Sequence, residues 1–126
     1  MSKSAKSVFV FSIYLFVLGP VLIVIPNVLL GLFGFDQTHE VWIRVVGMLV
    51  FFLGYYYNRS ARHELKDFFG WTVRARSAVP VFFIAFVALG LAPAVLILFG
   101  VVDAAGAVWT ALALRAEGAA SPGPAA

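Results

Sequence analysis

The chain has 126 residues, of which 63% are hydrophobic and 12% charged, and its mean hydropathy is +1.00. Soluble domains average about half apolar and about a quarter charged, so this composition points to an integral membrane protein with a single domain, residues 1–116, and leaves no room for a separate soluble catalytic domain. Without cysteine, disulfides, thiolate nucleophiles and cysteine-based zinc or iron–sulfur sites are excluded, and the net charge of +3 sits beside apolar runs, where membrane topology explains it better than nucleic-acid binding.

A spanning helix needs about 20 mostly apolar residues. The first, approximately 8–30, lies in "VFVFSIYLFVLGPVLIVIPNVLLGLF". Pro20, after Gly19, removes an amide donor and crowds the preceding turn, so a kink is expected there. Pro26-Asn27 marks a second bend or the end of the span, with "NVLLGLFGF" near the interface. Lys3 and Lys6 before an apolar run also suit a signal peptide, but the run is long and no A-x-A-like site follows, so an uncleaved first helix is expected. "GFDQTHE" is a polar turn. The second helix, approximately 41–60, has Trp42 at one interface and Tyr55, Tyr56 and Tyr57 at the other. The charged "NRSARHELKDFFGW" leads to the third helix, approximately 71–91. "GLAP" supplies a turn, and Pro93 is tolerated as the first residue of a fourth helix, approximately 93–115. The alternative, one span from Ala78 to Phe99 followed by an amphipathic helix, is disfavoured because Gly90 and Pro93 read as a stop and restart. The tail, 117–126, is expected to be flexible.

The predicted fold is therefore all-α, a polytopic bundle of four transmembrane helices. With four spans, Lys3, Lys6, Arg59, Arg62, Lys66, Arg74, Arg76 and Arg115 fall on one side, against Arg44 with Asp36, His39 and Glu40 on the other. The positive-inside rule then places both termini in the cytoplasm of a multi-pass protein of the inner or plasma membrane.

A charge within a span is costly and is by default a functional hypothesis. Asp103 sits about ten residues from either end of the predicted fourth helix, near the midplane. Phe99, Gly100, Gly106, Ala107 and Thr110 share its face, which is small and slightly polar and should point into the bundle. On the second helix Arg44, Met48, Phe51, Tyr55, Asn58 and Arg62 follow helical spacing and form the expected inward stripe. Phe51 would lie level with Asp103, Tyr55 about one turn below and Arg44 about two turns above, roughly 12 Å by rise. Asp103 is either ionised and reached by a snorkelling Arg44 or Arg76, or protonated and donating to a carbonyl or Tyr55. It either pins helices together or forms a ligand, proton or ion site. The candidate ligand-binding residues are Asp103, Tyr55, Arg44, Asn58 and Thr110.

In "RSARHELKDFF", His63, Glu64 and Asp67 could in principle meet a metal, but no ligand spacing is recognisable. Arg59, Arg62, Lys66, Arg74 and Arg76 read instead as contacts to anionic lipid headgroups. No P-loop, GxSxG, HExxH or glycine-rich nucleotide fingerprint is present. No catalytic residue, metal or cofactor is expected.

The segments "PNVLLGLFGF", "WIRVVGMLVFFLGYYY", "ARHELKDFFGWTVRAR" and "LAPAVLILFGVVDAAGAVWTALAL" together resemble the small four-helix membrane proteins widespread in bacteria, over nearly the whole chain. In architecture alone the chain also resembles DoxX-type four-helix proteins. The resemblance implies a fold and a topology and no activity. The expected function is non-enzymatic: an accessory subunit, or a module that binds a lipid or other hydrophobic ligand. The alternatives are a small oligomeric transporter or channel using Asp103, and a membrane-embedded enzyme on a lipid-like substrate. The expected partners are membrane lipids and a second copy or larger membrane complex, with no nucleic acid.

Overall fold

The computed structural model describes residues 1–120. It contains five helices: α1 (Lys3–Val24), α2 (Pro26–Leu32), α3 (Trp42–Arg62), α4 (Lys66–Ala88) and α5 (Leu96–Ala120). Among the described residues there is no strand. By length and composition α1, α4 and α5 are apolar enough to cross a membrane, as in a multi-pass membrane protein. This corrects the expectation of four such helices. At 21 residues α3 is long enough, but Arg44, Asn58, Arg59, Arg62 and three tyrosines dilute its apolar content.

The helix boundaries also differ from those predicted. The first expected helix is two. Pro20 lies inside α1 without ending it, whereas the chain breaks at Ile25 (φ −131°, ψ 53°), just before Pro26. A proline pushes the preceding residue out of the helical region partly by clashing with its Cβ. Gly19 has no Cβ, while Ile25 is β-branched. α4 begins at Lys66 rather than Trp71, so the charged linker is mostly helical and only His63–Leu65 turn. Gly90 (φ +74°) closes α4, as expected of a left-handed glycine after a helix. Pro93 stays in the turn before α5 rather than opening it. The expected tail starts as helix, because α5 runs to Ala120; residues 121–126 lie outside the described residues.

The long helices run alternately up and down. α1 packs most extensively on α3, α4 on α5, and α1 also lies against α5. Gly19 meets Gly47 while Ser12 meets Asn58 (3.3 Å), so α3 is antiparallel to α1. Ser7 meets Thr110 (2.7 Å) and Ser4 meets Glu117 (2.7 Å), so α5 is antiparallel to α1 as well. The α1–α3 seam is a backbone contact. A Cβ at Gly47 would stand 2.7 Å from the Gly19 carbonyl oxygen, and one at Gly19 would stand 2.9 Å from that of Gly47.

One end of the molecule is fastened by polar groups. Ser2 caps α1, accepting from the Ala5 N–H at 3.1 Å. Its own N–H and hydroxyl donate to Glu64 at 2.7 and 2.6 Å. The Ser4 N–H and hydroxyl donate to Glu117 at 2.9 and 2.7 Å, and Lys66 pairs with the same carboxylate at 2.8 Å. The start of α1, the α3–α4 turn and the last turns of α5 therefore share one end. The apolar core, including Ala5, Val8, Phe11, Ala61 and Phe69, lies just inside it. At the other end Asn27 clamps the Thr38 backbone, donating to its carbonyl (3.0 Å) and accepting from its N–H (2.9 Å), and Phe33 packs on Phe99.

Candidate ligand site between α3 and α4

Beyond the core the helices part. α3 meets α4 near the fastened end through Tyr57, whose ring lies edge-on to Phe68 and beside the Arg76 guanidinium, and the two helices separate beyond it. Between them, backed by α1 and α5 and closed at the far end by α2 and its loop, lies a cavity of about 550 Å³. That falls within the range of about 300–1,000 Å³ usual for small-molecule sites. Leu18, Leu22, Val46, Val50, Val79 and Phe83 are among its apolar walls. Val46 and Leu53 remain 46% and 47% exposed, so the cavity is open at the side. Its polar groups are few and gathered: Tyr14, Tyr57, Arg76 and Asp103.

Arg76 is the centre of this group. It is ten residues into the 23-residue α4 and only 2% exposed. Its placement follows from a Thr-x-x-x-Arg spacing that puts Thr72 one turn below it. Nε donates to the Thr72 carbonyl (3.3 Å), and Nη2 donates to the hydroxyls of Thr72 (3.0 Å) and Thr110 (2.9 Å). Ser7 gives its single proton to the Ser4 carbonyl (2.6 Å), so Thr110 donates in the contact it makes with Ser7. The guanidinium lies 4.7 Å from the Phe11 ring centre and 5.6 Å from that of Tyr57. Such cation–π contacts stabilise a desolvated cation by about 2 kcal/mol. Room for the guanidinium comes from Gly106, where a Cβ would stand 2.9 Å from Nη1 and 2.8 Å from the Phe11 ring. Nη1 itself has no hydrogen-bond partner among the described residues.

Asp103 lies seven residues into α5. Gly106, one turn on, faces Arg76, so Asp103 stands about one turn, roughly 5 Å, farther along the cavity. The two do not form an ion pair. The ion pair closer than 4.0 Å among the described residues joins Lys66 to Glu117. Asp103 is nearer the far end of its helix than expected, because α5 begins at Leu96 and continues past Arg115.

The expected inward stripe of α3 is displaced by one residue, roughly 100° around the helix. Met48 and Tyr55 face outward, Phe51 is partly exposed while packing on Phe16 of α1, and the buried residues are Gly47, Gly54, Tyr57, Ser60 and Ala61. The α1–α3 contact needs backbone to touch backbone, so the glycines rather than the polar residues define the inner face. Tyr55 is 52% exposed and stacks edge-on with Tyr56. Arg44 is exposed and caps the end of α1, donating to the carbonyls of Ile23 and Val24. Asn58 donates to Ser12 and accepts from Arg62 (2.8 Å). Thr110 is buried behind Arg76, without lining the cavity. Of the five expected ligand residues, the cavity contains Asp103 alone. Arg59, Arg62, Lys66 and Arg74 are exposed, whereas Arg76 is buried.

Sequence reading missed Tyr14, Tyr57 and the bonds of Arg76 to Thr72 and Thr110. A signal existed for α1, since Ser4, Ser7, Phe11 and Tyr14 recur at helical spacing and form one inward face. Among the described residues no group of three or more His, Cys, Asp or Glu gathers to hold a metal, and Glu64 is engaged by Ser2 instead. No family model, curated protein or solved structure compared with the chain matches it. The likeness to small four-helix membrane proteins thus stands on its residue pattern alone.

Proposed function

We propose that the chain is a membrane-embedded binder of a lipid-like hydrophobic molecule, taken up sideways between α3 and α4. The observation that carries this reading is the cavity itself: apolar along its walls, polar at one point, and open toward the surroundings of the helices. A soluble protein would not leave such a surface uncovered. In a bilayer the same opening faces acyl chains.

We also propose that α3 crosses the membrane with the other three long helices. α1 and α4 begin at the fastened end, and α5 finishes there, as the Ser2–Glu64 and Ser4–Glu117 bonds require. If α1, α4 and α5 each cross, the chain must return between α1 and α4, and α3 is the segment that does so. Its outward Phe52 and Leu49 suit lipid. Lys3, Lys6, Arg59, Arg62, Lys66 and Arg115 belong to the fastened end and Arg44 to the other, which favours a cytoplasmic position for both termini in the cell membrane.

The test is native mass spectrometry of the full chain released from nanodiscs. The wild type should carry a non-covalent lipid-like adduct. Val79→Trp, which fills the cavity, should lose it while keeping its melting temperature within a few degrees. An unchanged adduct in Val79→Trp, or none in the wild type, overturns the reading.

A further inference from the structure

The cavity holds one buried cation and two phenol hydroxyls at one point of an apolar wall, and this says what kind of head the bound molecule has. Resting on the binding reading above, we infer that the ligand is a single-headed amphiphile with a carboxylate, seated against Arg76, with its alkyl chain running toward Phe35. Three donor groups surround the Phe11 ring. The Arg76 guanidinium is 4.7 Å from it, and the rings of Tyr14 and Tyr57 are 5.3 and 5.8 Å from it. Nη1 of Arg76 has no acceptor. The hydroxyls of Tyr14 and Tyr57 make no hydrogen bond among the described residues, and both residues line the cavity. Asp103 is the lone acidic group there.

Charge narrows the class further. A guanidinium stays protonated in a protein, and a buried charge calls for a partner. No carboxylate lies within 4.0 Å of Arg76. Nη1 is sealed in the niche between Gly106 and Phe11, so a ligand carboxylate would meet the charge of Arg76 rather than that atom and would accept from the tyrosine hydroxyls, and charge-assisted bonds of this kind are the strong ones. Asp103, one turn farther along, sets the upper limit. A dianionic phosphate would meet one cation and, close by, an acidic side chain, so a monoanion is the better match. Beyond the head the walls are apolar from Tyr57 to Ile43 on α3, fourteen residues apart and roughly 21 Å by helical rise, enough for an extended alkyl chain.

The experiment measures binding of hexadecanoic acid, hexadecan-1-ol and hexadecyl phosphate to the full chain in a non-ionic detergent. The acid should bind about tenfold or more tighter than the alcohol, the scale of one hydrogen bond to a charged group, and tighter than the phosphate. Arg76→Gln should remove the advantage of the acid and leave the alcohol unchanged. Tyr14→Phe and Tyr57→Phe keep the rings, and so the packing around Phe11, and each should weaken the acid several-fold without touching the alcohol. If Arg76→Gln does not fold, the two tyrosine variants carry the same test. Equal affinity for acid and alcohol, or tighter binding of the phosphate, overturns the carboxylate assignment while the cavity reading survives, provided Val79→Trp abolishes binding of all three. Binding that Val79→Trp leaves intact overturns both.

Discussion

The two ends of this helix assembly are built from the same four long helices and come out differently. At the fastened end, Ala5, Val8, Ala61 and Phe69 are completely buried, and the serines and glutamates above them satisfy one another. At the opposite end α1 and α3 still touch backbone to backbone at Gly19 and Gly47, yet α3 and α4 separate around a cavity. Side-chain size decides. Ser4, Ala5, Ser60 and Ala61 let helices close in, as small residues do in membrane proteins. Val46, Val50 and Leu53 on α3 and Val79 and Phe83 on α4 line the gap, with Ala75 the one small residue of α4 among its walls. Arg76 stands at the boundary, bonded downward into the sealed half and stacked on the aromatic rings at the mouth of the open one.

The largest way to break this contrast is to force the one seam that stays closed in both halves. Gly47→Leu drives a side chain into the Gly19 carbonyl and should cost about 3 kcal/mol or more, read as a collapse of the melting temperature in detergent. Next is the boundary. Arg76→Ala leaves a hole and strips two threonine hydroxyls of their partner, for a loss of about 2–3 kcal/mol. Arg76→Met keeps the volume and removes a desolvated charge, so it should be nearly neutral or stabilising. A loss as large as that of alanine would mean that the charge itself holds the fold.

Thr110→Val sharpens the comparison at smaller amplitude. It deletes the link between Arg76 and Ser7 and should cost about 1–2 kcal/mol, measured by thermal unfolding, with no change in helix content. The smallest effect belongs to the fastened end. The Glu64 carboxyl is held below the usual carboxylate range, first by the Ser2 hydroxyl and then by the Ser2 N–H, with Lys66 adding to this. Since the folded value is lowered, the extra stability is present above the unfolded value, about 4.3, and disappears as pH falls through the folded one. The side chain is exposed, so solvent screens most of the effect. Glu64→Gln should flatten the small decline in melting temperature between about pH 5 and about pH 3, and a slope equal to that of the wild type would show that Ser2 does not stabilise the turn.

Much of the architecture was readable from the chain. The apolar runs, the Gly90 stop, the polar turn after Phe35 and the clustering of Lys and Arg follow from composition and spacing, because these are local properties. Asp103 was readable as well, since a carboxylate amid small apolar residues needs a reason wherever the helix packs. Three things were not. The inner face of α3 was assigned to its polar residues, because amphipathic spacing assumes that polarity marks an inner face within a membrane, whereas here two glycines needed backbone contact. The place of Arg76 is open between a headgroup contact and a snorkelling partner of Asp103, because one arginine near a helix start looks like any other until Thr72, Thr110 and Phe11 surround it. Whether Pro26 bends or ends the first span is the third, because the different effects of Pro20 and Pro26 depend on the residues before them.

The sequence by itself determined that this is an all-α chain with runs suited to a bilayer, no thiol chemistry and a rare acidic group within its last helix. These follow from transfer free energy and backbone hydrogen bonding, which act residue by residue. Only the tertiary structure decided which polar groups meet. The register of α1 against α5 brought Ser7 to Thr110, the register of α4 against α5 brought Arg76 to Gly106, and the mismatch of bulk between α3 and α4 left the cavity. Those outcomes depend on how side chains of four helices fill a common space, and no single stretch of sequence contains that information.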